Sequence, residues 1–213
     1  MSRPPLVLLH GLWDTPRLFA TLESALLERC PQLEIYAPHL PHRLGAVPIR
    51  ELADQLASLL QARFGSSTRL DLLGFSMGGV IGRTWLQEHG GYGRTRRFVC
   101  LGSPQQGTLT AQPWPGWLLA GVADMKLGSR LLRQLNDNVD ALRSVDCASF
   151  FCTADLMVWP GWRAVLPVGP RQSVPVLTHQ QLMSDPAALD AALELAGRGN
   201  PTRVQPFALN VTQ

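Results

Sequence analysis

The chain has 213 residues, of which 46% are apolar and 16% charged, the composition of a globular protein long enough to bury a core. A net charge of +3, with no basic stripe interleaved with aromatic residues, gives no reason to expect a nucleic-acid partner. No apolar stretch is long enough to span a bilayer and no secretory signal is recognisable, so we expect a cytoplasmic protein.

Apolar runs alternate with amphipathic segments along the chain, a pattern typical of a parallel sheet flanked by helices. The predicted strands are short and mostly apolar: 6–9, 34–37, 70–75, 97–101, 149–153 and 174–177. The predicted helices span 16–29, 49–64, 77–88 and 186–196, and an insertion of loop and short helix occupies about 103–146. With no repeat and no linker, residues 1–213 are predicted to form one α/β domain.

The strongest chemical signal is the segment Gly74-Phe75-Ser76-Met77-Gly78, which lies between a predicted buried strand and a predicted helix. In this context G-x-S-x-G makes a tight turn that presents the serine hydroxyl at its apex. A side chain at Gly74 or Gly78 would collide with the opposing backbone. The pattern predicts Ser76 as a nucleophile.

A serine nucleophile needs a base, and the partners of such a turn follow it in the order acid, then histidine. Among His10, His39, His42, His89 and His179, only His179 follows both Ser76 and an acid at a strand end. Asp155 lies two residues after the predicted strand 149–153, at the edge of the sheet where Ser76 also lies. The alternatives are Asp137 and Asp140 in a helical stretch and Asp146 at the opposite edge. We predict Asp155 as the partner of His179.

An oxyanion intermediate also needs backbone donors. One is the amide of Met77, directly after the nucleophile, and the second is expected from the loop after the first strand. That loop reads His10-Gly11-Leu12-Trp13, and the Leu12 amide is the predicted donor. His10 is expected to fix the loop by hydrogen bonds rather than to take part in the chemistry.

Together these motifs resemble the α/β-hydrolase superfamily, and within it small bacterial lipases and esterases. The matching pieces span most of the chain in the family's order: His10-Gly11-Leu12, Gly74-Phe75-Ser76-Met77-Gly78-Gly79, Leu101-Gly102-Ser103-Pro104, Gly107-Thr108, Asp155 and His179. Gln105-Gln106 departs from the histidine that such lipases often carry there, which leaves the substrate open. The resemblance implies a minimal fold of about six parallel strands, because the first strand begins at Leu6 without a preceding hairpin.

The implied function is hydrolysis of carboxylic esters, from small molecules or lipids, with no metal and no cofactor. The same residues would equally serve a thioesterase, an acyltransferase or an amidase, and a non-catalytic ligand-binding protein is a further alternative. The sequence leaves the oligomeric state open.

The candidate substrate-binding residues are tryptophans in predicted loops after strand ends or in the insertion: Trp13, Trp114, Trp117 and Trp159. Ligands of open α/β sheets bind beyond the carboxyl ends of the strands, where an aromatic rim suits an acyl chain or a transient contact with a membrane surface. The tryptophans equally suit packing of the insertion against the body. Arg94, Arg96 and Arg97 are predicted to form a solvated loop, and all four cysteines to be buried thiols.

Overall fold

The structure is a computed structural model that describes residues 3–183. In this part of the chain six parallel strands form one sheet in the order β2-β1-β3-β4-β5-β6. The strands are β1 Leu6–Leu9, β2 Ile35–Tyr36, β3 Leu70–Phe75, β4 Thr95–Leu101, β5 Asp146–Phe151 and β6 Arg171–Ser173. The predicted parallel α/β architecture is confirmed, and the predicted helix 186–196 lies outside the described residues.

The α-helices are α1 Ala20–Arg29, α2 Ile49–Phe64, α3 Met77–Glu88, α4 Ala120–Asp124, α5 Arg130–Asp137 and α6 Asp140–Arg143. Short 3₁₀ turns connect them at Pro16–Phe19, Arg43–Gly45, Gly91–Gly93, Leu109–Ala111, Gly161–Arg163 and Gln180–Met183. The bounds of α2 and α3 match the predicted ranges 49–64 and 77–88. The first turn of the predicted helix 16–29 is 3₁₀, after which α1 continues.

Both faces of the sheet are covered, which explains why its central strands are mostly apolar, with their polar residues near the amino ends of β3 and β4. Side chains of β1 alternate between the two sides: Val7 and Leu9 join the core with α2 and α3, whereas Leu6 and Leu8 join the core with α1. In β3 every residue is buried. Burial on both sides therefore fixes the position of β3 in the sheet, and with it the position of the turn between β3 and α3.

The insertion between β4 and β5 contains α4, α5 and α6, as predicted, and it is tied to the body by specific hydrogen bonds. Asp124 Oδ2 at the end of α4 accepts the Ile49 amide at the start of α2, at 2.9 Å. The fully buried Arg83 of α3 donates to Asn136 Oδ1 at 2.8 Å and to the Gln105 carbonyl at 3.2 Å. The insertion is therefore clamped to α2 and α3 rather than loosely attached.

Three sequence predictions are wrong in detail. Strand β5 begins at Asp146, three residues before the predicted start, and β6 occupies Arg171–Ser173 instead of 174–177. Strand β4 begins at Thr95, so Arg96 and Arg97 lie in a strand and pair with Asp71 and Asp146 instead of forming a solvated loop.

The cysteines and the helices add two findings. All four cysteines are free thiols, but Cys30 is only partly buried. Within the described part of the chain, no helix combines the length and the apolarity needed to cross a membrane.

Candidate active site

Ser76 lies at the sharp turn between β3 and α3, with φ 52° and ψ −128°. L-amino acids rarely adopt this conformation, and the packing around the turn imposes it. A Cβ on Gly78 would lie 2.6 Å from the carbonyl oxygen of His10, and one on Gly74 would lie 2.6 Å from the amide nitrogen of Gly79. The backbone of α3 therefore lies in direct contact with the backbones of both β3 and the end of β1.

The turn places the first amides of α3 next to the Ser76 side chain. Met77 is the first residue of this 12-residue helix and is fully buried. Its amide belongs to the donors that an α-helix leaves unpaired at its N-terminus, where the helix dipole favours negative charge. This is the position in which the sequence predicts an oxyanion donor.

Asp155 is fully buried in the loop that follows β5. Its Oδ1 accepts the amides of Met157 at 2.8 Å and Val158 at 3.0 Å, which fixes the carboxylate plane. Its Oδ2 lies 2.6 Å from Nδ1 of His179. The other predicted candidates lie elsewhere: Asp137 and Asp140 are in insertion helices, and Asp146 pairs with Arg97.

His179 is buried between β3 and the loop after β4. Its ring centroid lies 4.7 Å from that of Phe75, the residue before Ser76. A Cβ on Gly102 would lie 2.9 Å from its Cε1, so a larger residue there would displace the imidazole. With Nδ1 directed to Asp155, the buried Nε2 has no hydrogen-bond partner among residues 3–183.

The Ser76 hydroxyl also makes no hydrogen bond within the described residues, so the structure does not join it to His179. Catalytic hydrogen bonds are often long in the absence of substrate and tighten when it binds. The structure thus brings the imidazole against the residue that precedes Ser76, with one ring nitrogen anchored on a carboxylate and the other unpaired. This arrangement can accept a proton from a nearby hydroxyl.

The loop after β1 runs directly past Ser76. A Cβ on Gly11 would lie 2.8 Å from Ser76 Cβ, so only glycine lets this backbone approach. The Leu12 side chain anchors the loop by packing against the main core and next to Gly45, while Trp13 adopts φ 66° and is exposed. Leu12 thus directly follows the glycine that lies against the nucleophile turn, and its role as an oxyanion donor stays a prediction.

His10 holds this loop through both ring nitrogens. Its Nε2 accepts the Leu40 amide at 3.1 Å, so Nδ1 carries the proton and donates to the Gly11 carbonyl at 3.1 Å. Burial lowers the pKa of His10, and the Gly11 carbonyl opposes this shift only in part. The contacts agree with the predicted positioning role.

One charged residue beside Ser76 is absent from the sequence predictions. Asp14 ends the same loop, and its Oδ2 lies 3.0 Å from the position that a Gly11 Cβ would take. Nothing in the local pattern separates this residue from an ordinary loop acid. Only the fold of the loop reveals its place.

The predicted aromatic rim is exposed rather than packed. Trp117 is 87% exposed and Trp13 57%, and Trp114 and Trp159 are also among the exposed large apolar residues. The backbone of Trp159 is held by the insertion, because its amide donates to Thr108 Oγ1 at 2.9 Å. The tryptophan side chains thus remain available for contacts outside the domain.

Comparison with known proteins identifies the fold. The profile described as "Alpha/beta hydrolase family" matches residues 6–207. The mature lipase BlEst2 of Bacillus licheniformis superposes with a TM-score of 0.71 at 18% identity, over 91% of this chain and 92% of that chain. Lipase B of Aspergillus fumigatus gives 0.75 at 16% identity, over 95% of this chain but only 55% of that chain.

A structure described as a bromoperoxidase from Bacillus anthracis gives a TM-score of 0.63 at 14% identity, over 92% of each chain. No curated protein matches the chain by sequence. At these identities the solved structures establish the architecture alone.

Proposed function

The chain belongs to the alpha/beta hydrolase family, and from this membership we propose that it is a serine hydrolase that cleaves carboxylic esters through an acyl-enzyme on Ser76. The observation that supports the proposal most is the buried His179–Asp155 hydrogen bond of 2.6 Å beside the Ser76 turn. A charged or polar pair of this kind is costly to bury. It leaves Nε2 unpaired on a ring that packs against Phe75, the residue before Ser76, and an unpaired ring nitrogen near the serine is what general-base activation requires.

In the proposed mechanism His179 Nε2 takes the proton of the Ser76 hydroxyl as its oxygen attacks the ester carbonyl. The Leu12 and Met77 amides stabilise the negative charge that develops on the carbonyl oxygen. The imidazolium then returns the proton to the departing alcohol, and water hydrolyses the acyl-enzyme by the same steps in reverse order. Asp155 keeps the proton on Nδ1 and stabilises the charged ring.

The substrates that suit this surface carry an apolar acyl chain. Exposed apolar side chains occur on three segments that follow the carboxyl ends of strands: Trp13 after β1, Trp114, Trp117 and Leu118 in the insertion after β4, and Trp159 after β5. Exposed apolar side chains beyond the carboxyl ends of the strands of an open α/β sheet suit the binding of an apolar ligand or a lipid interface. The proposal therefore extends to lipid esters and to a transient contact with a membrane surface.

The test is the substitution Ser76→Ala, with Ser66→Ala as the matched control because Ser66 is exposed. We expect Ser76→Ala to lose at least about 10³-fold in kcat on p-nitrophenyl esters. A fluorophosphonate should label the unmodified protein and the Ser66→Ala variant, but not the Ser76→Ala variant. Ester turnover that survives in Ser76→Ala would exclude the proposed nucleophile.

A further inference from the structure

Asp14 brings a second carboxylate to the nucleophile, from a different loop than Asp155. The position of a Cβ on Gly11 lies 3.3 Å from Ser76 Oγ and 3.0 Å from Asp14 Oδ2. A single point beside Gly11 is therefore close to both the attacking oxygen and a carboxylate oxygen. Any ester bound over Ser76 must lie in the field of this group.

The fold does not use the Asp14 carboxylate for its own hydrogen bonding. Within residues 3–183 its oxygens accept no hydrogen bond, and its polar contacts are made by the backbone. The amide donates to the Gly11 carbonyl at 3.4 Å, and the carbonyl lies 3.4 Å from Nε2 of His42. The carboxylate thus remains available to a ligand.

The surroundings make this charge significant. Burial raises the pKa of the Asp14 carboxyl, and the positive charges that His179 and His42 carry when protonated oppose that shift. A half-buried carboxylate that the fold leaves without a donor costs stability, and such groups concentrate at functional sites. Because water screens a buried group less, its field reaches neighbouring atoms more effectively.

We infer that Asp14 selects substrates by charge, favouring esters that carry a cationic group near the scissile bond and disfavouring anionic ones. This inference rests on the proposed function, because it assumes that esters bind over Ser76. At separations of several Å and with partial solvent screening, one such charge changes the relative rates of charged and neutral esters by roughly tenfold.

The experiment compares isosteric pairs that differ only in charge. Acetylcholine and 3,3-dimethylbutyl acetate differ in the alcohol part, and p-nitrophenyl esters of a trimethylammonio acid and of its tert-butyl analogue differ in the acyl part. For at least one pair, the cationic-to-neutral ratio of kcat/KM should exceed one and should fall about tenfold in Asp14→Asn. Asp14→Glu, which keeps the charge, should retain most of the preference.

Asp140→Asn is the matched control, because Asp140 is 96% exposed and, among residues 3–183, pairs with Arg143 alone; it should leave both ratios unchanged. In the unmodified protein, raising NaCl from about 20 mM to about 500 mM should lower the preference as well, so the test does not depend on the folding of a variant.

The outcomes separate this inference from the proposed function. Charge selection would be overturned if the unmodified protein and Asp14→Asn hydrolysed neutral esters equally and if neither the substitution nor salt changed the cationic-to-neutral ratios of kcat/KM. That result would leave the esterase proposal intact. Absence of both turnover and fluorophosphonate labelling in the unmodified protein would overturn the esterase proposal, and the charge selection that depends on it.

Discussion

At the scale of the single residue, the backbone of Ser76 is the most unusual feature of the molecule. Its φ of 52° with ψ of −128° belongs to a region that glycine occupies readily and other residues do not. The cost of such a conformation is on the order of 1–3 kcal/mol. The packing around the turn imposes this conformation, and the conformation presents the Ser76 hydroxyl beyond the carboxyl end of β3.

The strain at Ser76 predicts that two inactive variants differ in stability. Ser76→Gly and Ser76→Ala should both be inactive, but Ser76→Gly should be more stable than Ser76→Ala by about 1 kcal/mol, because glycine relieves the strain. Urea unfolding measured on both variants gives the difference.

The control for this comparison is Ser66, an exposed turn residue that does not have a positive φ. There glycine should be less stable than alanine, because glycine only adds freedom to the unfolded chain. Equal stability of the two Ser76 variants would show that the turn is not strained.

The sequence predicts much of the site at this scale, because motif order constrains it. The structure places Asp155 against His179 and Gly11, which precedes Leu12, against Ser76, while the roles assigned to Asp155, His179, Leu12 and Met77 stay predictions. Asp14 was missed for a physical reason. A lone acid four residues beyond His10 has no periodicity or motif, and its approach to Ser76 depends on the turn through Gly11 and Trp13.

At the scale of the element, the contact between β1 and the start of α3 sets the geometry of the site. Gly78 of α3 faces the carbonyls of Leu9 and His10 at the end of β1. The close approach brings the oxyanion loop and the nucleophile turn together. A larger residue at this contact would separate two elements whose spacing the chemistry requires.

We therefore expect Gly78→Ala to destabilise the protein by more than about 3 kcal/mol, although alanine normally stabilises a helix by about 1 kcal/mol. A Cβ at this position would lie 2.6 Å from the His10 carbonyl oxygen, and backbone on both sides cannot yield. Thermal unfolding and the soluble yield measure the effect.

Gly93→Ala is the matched control, because a Cβ there meets nothing within 4 Å. It should change the free energy of unfolding by less than about 1 kcal/mol. A Gly78→Ala protein as stable as the Gly93→Ala protein would contradict the packing described for the turn.

Elements with a strong apolar pattern were predicted to the residue, as for β1, β3, α2 and α3. The errors fall where the pattern is weak. Strand β6 is Arg-Gln-Ser at the sheet edge, where one side of the strand needs no partner and apolar residues are not required. The apolar run that follows contains Pro175, which has no amide to donate to a ladder.

At the scale of the whole molecule, apolar surface is distributed unevenly. Two of the most exposed large apolar side chains in the described part of the chain are neighbours in sequence of the candidate site residues: Leu156, at 76%, follows Asp155, and Leu177, at 77%, precedes His179 by two residues. Burying such exposed apolar side chains against an apolar partner is favourable, because it removes them from water. The loops that carry these side chains thus follow the carboxyl ends of strands, as the candidate site residues do.

Truncation of the rim should change chain-length preference. In a Trp114→Ala/Trp117→Ala protein we expect kcat/KM for long-chain esters to fall about tenfold relative to short-chain esters, because apolar contact with the chain is lost. Tyr92→Ala, at the amino end of β4 and 42% exposed, is the aromatic control and should leave the preference unchanged. A chain-length profile unaffected by the double substitution would exclude an acyl-binding role for these tryptophans.

Thr108 links the start of the insertion to the loop that carries Asp155. Its hydroxyl accepts the Trp159 amide at 2.9 Å, the Leu109 amide donates to the Trp159 carbonyl at 2.9 Å, and Thr110 Oγ1 donates to the Met157 carbonyl at 2.6 Å. Swinging this part of the insertion outward would break all of these bonds, each with a net value of about 1 kcal/mol. The same movement would displace the loop of Asp155, whose carboxylate is hydrogen-bonded to His179. A wide hinge-like opening of the insertion would therefore disrupt the site that it exposes.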